Sequence, residues 1–256
     1  MKKILIATTA LFAGLSVTSM ANAYQAEVGG SYNYLDPDHA DGVSQVGVNG
    51  TYYFNPVETR NAPLAEAAFL DKASNVHGSV NYGDNSGTKN TTYSAGAEYY
   101  VPNSDFYLGG NVGRNEYKVD NTNIDLKTTL YNAEVGYLPA PGLLVAVGAQ
   151  GYDTQHGSNG VDPTLRAKYV TQVGAYDMNF EGGAVFGDID YYNLDADLYL
   201  NKTFSVGLGF SDTDEKDAEI FTIRAKKFFT QQVSLEGSID FADEDNVFGL
   251  RGAYRF

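Results

Sequence analysis

From Tyr24 to the C-terminus, apolar and polar residues alternate with period two in run after run. That is the pattern of strands with one face toward an apolar medium and the other toward water. In the first run Val28, Tyr32 and Tyr34 alternate with Glu27, Ser31 and Asn33; in the second, Val46, Val48, Tyr52 and Phe54 alternate with Gln45, Asn49 and Thr51. Later runs keep the form, as where Tyr192, Leu194, Leu198 and Leu200 oppose Asn193, Asp195, Asp197 and Tyr199. Residues 143–152 are less polar on the inward face, so that run has the least defined phase. The pattern predicts fourteen strands. An even number returns both termini to one side, and the tight connections at residues 102–105, 139–142, 201–202 and 230–232 are expected there. Longer connections at residues 36–42, 84–90 and 154–163 are expected on the opposite, extracellular side.

The last run places Phe248, Leu250, Tyr254 and Phe256 on one face and Gly249, Arg251, Ala253 and Arg255 on the other. A terminal strand ending on an aromatic residue resembles the closing strand of bacterial outer-membrane β-barrels, and the resemblance implies recognition by the barrel-assembly machinery through the strand ending at Phe256. Outward aromatics gather near strand ends in two sets, Phe54, Tyr99, Tyr137 and Tyr254 among one and Tyr34, Tyr82, Phe210 and Phe241 among the other. Two belts suit the two interfaces of a membrane. A soluble β-sandwich would have to pack these rings between sheets. The expected fold is therefore all-β, a transmembrane antiparallel barrel of about fourteen strands, with outer-membrane lipid and lipopolysaccharide around it.

Residues 1–23 carry Lys2 and Lys3, an apolar run and Ala21-Asn22-Ala23, the signature of a cleaved signal peptide. The barrel would then occupy residues 24–256. With 20 Tyr, 14 Phe, 28 Gly and no Trp, any interfacial belt is built from Tyr and Phe. Cysteine is absent, which excludes disulfides and thiolate metal sites. The formal charge of −15, or −17 without Lys2 and Lys3, argues against a nucleic-acid partner.

One connection departs from the short-turn rule. Residues 55–73, on the side expected to be periplasmic, contain Pro63, Leu64, Phe69 and Leu70 within an Ala- and Leu-rich stretch after a proline, a helix-forming pattern. Two placements remain open at this level: a helix against the periplasmic rim, or a plug folded into the lumen.

The block Gly50-Thr51-Tyr52-Tyr53-Phe54, with Pro63-Leu64-Ala65-Glu66-Ala67-Ala68-Phe69-Leu70 and Ala73-Ser74-Asn75-Val76, resembles the small porin family of Acinetobacter and related Gram-negative bacteria. Leu143-Leu144-Val145-Ala146-Val147-Gly148 and Ala167-Lys168-Tyr169-Val170 fit the same family. The resemblance implies a fourteen-stranded barrel in the cell outer membrane that passes small hydrophilic solutes. It carries over no binding residue.

For a channel, the chemistry is the charge that lines the lumen. Arg166, Lys168, Arg224, Lys226, Arg251 and Arg255 fall on inward positions, as do Glu27, Glu98, Glu134, Glu181, Asp195, Asp197, Glu236 and Asp240. Opposed acidic and basic walls order water and favour small polar solutes, and the acidic excess favours cations. The alternative is that these charges pair with one another and fill the lumen of a non-conducting structural or host-interaction barrel. His77 and Ser79 share a strand face, but opposite the lipid-facing Val76 and Val80, so no phospholipase-like pair is expected and the chain reads as a non-enzyme without cofactor. His39 and His156 fall in expected loops. Asp36-Pro37-Asp38 and Asp212-Thr213-Asp214-Glu215 read as ordinary acidic loops. A monomer is expected, because no long loop is available to latch onto a neighbour.

Overall fold

A computed structural model describes residues 23–256 apart from 38–41, 86, 156, 188–189, 217 and 244. All but the last residue of the expected signal segment, together with His39 and His156, lie outside the described residues. The chain forms β1 (Ala23–Pro37), β2 (Val43–Glu58), β3 (Asn75–Asn85), β4 (Thr88–Tyr100), β5 (Phe106–Val119), β6 (Asp125–Ala140) and β7 (Leu143–Thr154). It continues through β8 (Asn159–Val173), β9 (Tyr176–Val185), β10 (Tyr191–Asn201), β11 (Phe204–Thr213), β12 (Ile220–Phe228), β13 (Val233–Phe241) and β14 (Asp245–Arg255). Each strand pairs antiparallel with its sequence neighbours, and β14 pairs with β1 to close a fourteen-stranded barrel. Closure gives every wall strand two hydrogen-bonding neighbours, which lipid demands because it offers backbone groups no partner. At the seam the register runs from Glu27 opposite Arg255 to Pro37 opposite Asp245. The Phe256 carbonyl accepts from the Gln25 and Ala26 N–H groups at 2.8 and 2.9 Å.

The period-two alternation sorts the side chains. Val48, Tyr52, Val112, Val147, Leu194 and Leu250 are exposed on the outer face, while their strand neighbours turn inward and are at least half-buried. Among the described residues no helix is long and apolar enough to cross a membrane. The rings at Phe54, Tyr99, Tyr137 and Tyr254 are exposed near the rim that carries the chain end, hereafter the terminal rim. Those at Tyr34, Tyr82, Phe210 and Phe241 are exposed near the opposite loop rim. Lys227, at the terminal rim, donates to Thr203 Oγ1 at 2.8 Å and lies over the Phe204 ring, so its ammonium is held out of the apolar band.

The ladder outruns the apolar pattern at the loop rim. Described residues expected in the connections at 84–90 and 154–163 are largely strand, and β1 runs on through Asp36 and Pro37: Asp84 pairs with Lys89, Asn85 with Thr88, and Asp153 with Asn159. The backbone keeps pairing where both faces meet water, and only the side chains change character. On β5 and β6 the outward positions beyond Val112 become Arg114, Glu116 and Lys118, facing Thr129, Lys127 and Asp125. Charges on the outer face mark where lipid ends.

Inside, the buried apolar residues lie at the terminal rim. Tyr24, Tyr53, Val57 and Ala67 form one cluster; Tyr100, Tyr107, Leu138 and Leu144, with Phe69 against them, form another. Residues 143–146 thus resolve their phase: Val145 faces out, while Leu144 and Ala146 are buried inside.

Two glycine substitutions test this assignment of faces. A Cβ on inward Gly136 would stand 2.7 Å from Leu144 Cδ1 and 3.0 Å from Tyr107 Cδ1, whereas one on outward Gly252 meets nothing within 4 Å. Gly136→Val is expected to lower the urea midpoint of the refolded barrel by an amount equivalent to about 1–3 kcal/mol, as overpacking does. Gly252→Ala is expected to change stability by less than about 0.5 kcal/mol.

Candidate functional site

The inner wall is zoned. Its basic side chains run from mid-strand to the terminal rim, and each is paired. Arg166 Nη2 lies 2.6 Å from Glu134, with Glu181 at 3.7 Å from its other terminal nitrogen; Lys168 lies 3.4 Å from Glu181. Arg224 meets Asp195 at 2.6 Å and Asp197 at 2.8 Å, and Lys226 meets Glu236 at 3.0 Å. Arg251 and Arg255 share Glu27 at 2.8 and 2.6 Å. Glu98 accepts instead from Asn75 and Tyr107, and Asp240 from Thr222, all neutral donors. Glu98 and Asp240 are thus carboxylates of the inner wall held by hydrogen bonds from neutral groups.

Several of these pairs meet across an intervening strand, and glycine makes the crossing possible. Arg224 on β12 reaches Asp195 and Asp197 on β10 over Gly207 and Gly209 of β11; a Cβ at Gly207 would strike both Asp197 Oδ1 and Arg224 Nε. Arg251 reaches Asn49 over Gly29 in the same way. Missing side chains on the middle strand let charged arms lie flat against the wall, where each completes its hydrogen bonds.

Toward the loop rim the inner wall is mixed, with amides and hydroxyls beside apolar Leu130 and the carboxylates Asp162 and Asp240. Asn115 donates to Asn90 at 2.7 Å and to Thr92 at 2.9 Å, Ser79 and Ser94 share a 2.7 Å bond, and Thr128 meets Thr154 at 3.1 Å. His77 bonds Asn75 at 3.1 Å and Ser79 bonds Ser94, so imidazole and hydroxyl take different partners and form no base–nucleophile couple. No cluster that could hold a metal ion occurs among the described residues.

The terminal end of this lumen is occupied by residues 59–74. They form a 3₁₀ turn at Leu64–Glu66 and a short helix, α1 (Ala67–Leu70). Pro63 and Ala67 are fully buried and Leu64 nearly so. Glu66 is 6% exposed, a carboxylate that must be compensated. Tyr199 of β10 donates to it at 2.5 Å and Lys168 of β8 approaches it at 2.9 Å. Arg255 of β14 donates to the Leu64 carbonyl at 2.7 Å, and the Leu64 N–H donates to the Lys202 carbonyl at 2.8 Å. Phe69 packs on Tyr100, Tyr107, Leu138 and Leu144 and lies beneath Lys168, while Leu70 approaches Gly142. The segment thus touches inward groups from β1, β2, β4–β8, β10 and β14, which only a position within the barrel permits. At its exit Asp71 accepts the Glu58 N–H at 3.0 Å and Lys72 pairs with Asp105 at 3.0 Å.

Sequence reasoning did not single out Glu66 or the aromatic floor of Tyr24, Tyr53, Tyr100, Tyr107 and Phe228. The signal was present as doublets: Tyr52-Tyr53 and Tyr99-Tyr100 put one ring outward and one inward, breaking the alternation at the strand end where the segment sits.

A family profile described as "Putative general bacterial porin" matches residues 1–162. No curated protein sequence matches the chain. Among solved structures it is similar to the Acinetobacter baumannii outer membrane protein Omp33, with 28% identity, 93% of this chain and 100% of that chain covered, and a TM-score of 0.73. The P. putida toluene transporter TodX shares the fold alone, at 6% identity, 93% and 91% coverage and a TM-score of 0.53. With an aromatic-belted closed barrel around a polar lumen, and a family match over more than half its length, the chain belongs to the general bacterial porin family and is a β-barrel of the Gram-negative outer membrane.

Proposed function

We infer that the lumen is a route for ions and small hydrophilic solutes by passive diffusion, closed at its terminal end by residues 59–74 and open to passage when that segment moves. The observation that carries this reading is Glu66, a carboxylate carried by the inserted segment and bound by Tyr199 and Lys168 of the wall. Such a contact is reversible, and the polar wall above it needs no further change to admit water. The reading involves no covalent step and no cofactor.

The same contact favours a second reading, a barrel that stays shut and serves a structural or surface role. The two differ in what happens when the segment is loosened or removed. Breaking a buried ion pair by truncating one partner costs about 3–5 kcal/mol.

In planar bilayers the mature chain is expected to be mostly silent, and Glu66→Ala to raise its open probability by at least about tenfold, a small part of that energy. Removal of residues 63–70 is expected to give steady stepwise conductance; silence in that variant sinks the channel reading and leaves the structural one.

The opened variant is also expected to prefer cations, because Glu98 and Asp240 add negative charge that no basic side chain is seen to cancel. A reversal potential in a potassium chloride gradient reads this directly, and a chloride preference contradicts it.

A further inference from the structure

We propose that the terminal rim carries a binding site for one zwitterionic, amine-bearing phospholipid headgroup, in the notch between the end of β2 and the turn joining β4 to β5. The notch is a consequence of unequal strand lengths: β3 begins at Asn75, opposite Tyr53, while β2 runs on to Glu58. The exit of the inserted segment, residues 71–74, crosses its floor. It forms a half-open cavity of about 710 Å³ bounded by Phe54, Pro56, Lys72, Tyr99, Val101 and Asp105 among others. That volume falls within the range of small-molecule sites, about 300–1,000 Å³.

Position selects a lipid. Phe54 and Tyr99 are the last outward rings of β2 and β4 at this rim, so the cavity opens where the aromatic belt meets the headgroup layer. In bacterial barrels the rim with short turns is periplasmic, facing the phospholipid leaflet. The lining offers both characters a lipid has, apolar at Phe54, Pro56 and Val101 and polar at Lys72, Asn103 and Asp105.

Charge selects the headgroup. Asp71 is already engaged by Arg60 at 2.9 Å and by the Glu58 N–H. Lys72 and Asp105 face each other at 3.0 Å with side chains 42% and 54% exposed, a pair worth little by itself and easily exchanged. A phosphate replaces Asp105 as the partner of Lys72, and an ammonium with N–H donors replaces Lys72 as the partner of Asp105. An anionic headgroup supplies only the first half of that exchange and brings its charge beside two carboxylates.

The absence of native tryptophan gives a clean reporter. The full mature chain with Val101→Trp in the notch, or Val173→Trp at the exposed terminal end of β8 as a reference, is placed in phosphatidylcholine vesicles doped with brominated phosphatidylethanolamine or brominated phosphatidylglycerol. Brominated phosphatidylethanolamine is expected to quench the notch indole about threefold more strongly than the reference indole, and more strongly than brominated phosphatidylglycerol does; the preference should vanish when Lys72→Ser and Asp105→Ser are added. Equal quenching of the two indoles, or of the notch indole by the two lipids, shows ordinary boundary lipid and overturns the proposal. So does a preference that survives the double substitution. The lipid comparison is made with the ion pair intact, so it stands even if the doubly substituted barrel fails to fold.

Discussion

The structure depends most on one guanidinium at the end of the chain. Arg255 lies 6% exposed on the inner face of β14, bonded to Glu27 of β1 at 2.6 Å, set between the rings of Tyr24 and Phe228, and donating to the Leu64 carbonyl of the inserted segment. It therefore joins the last strand to the first and both to the plug. A buried charge stripped of one partner is strongly destabilising, so seam and plug hold each other in place. The aromatic residue that follows, Phe256, completes the seam through its backbone.

From that corner outward the basic side chains of the lumen follow one rule: they sit from mid-strand down to the end where the barrel is shut. The paired Arg, Lys, Asp and Glu side chains surround and underlie the inserted segment, while amides and hydroxyls, with Asp162 and Asp240 among them, line the approach from the loop rim. Pairing across glycine keeps the long side chains against the wall instead of across the channel. The polar approach above the plug can hold water while the lower belt supplies both the contacts that retain the plug and the negative field that an emerging ion would meet.

Much of the fold was legible in the sequence, because lipid on one side and water on the other impose a strict alternation. Strand number, the outward belts at residues such as Phe54, Tyr99 and Phe241, and the terminal closing strand all follow from it. The placement of residues 55–73 did not, since an Ala- and Leu-rich turn has the same composition whether it lies on a rim or inside. Its inward position is written instead in the residues it touches: Leu144, whose strand phase was ambiguous, and the second ring of each tyrosine doublet. Glu66 escaped notice because a lone glutamate after a proline reads as ordinary helix chemistry, and its meaning comes only from Lys168 and Tyr199, on strands far along the chain. The extent of the strands at the loop rim was also hidden, because backbone pairing persists after the side-chain pattern has ended.

The most direct test of this account is hydrogen–deuterium exchange of the lipid-reconstituted protein over residues 59–74. Leu64 donates to the Lys202 carbonyl, and Asp71, Lys72 and Ala73 donate to carbonyls within the segment. These amides are expected to exchange at least about a hundredfold more slowly than an unstructured chain, because they open only when the plug leaves its site. Exchange at the unprotected rate throughout the segment would contradict an inserted, latched plug.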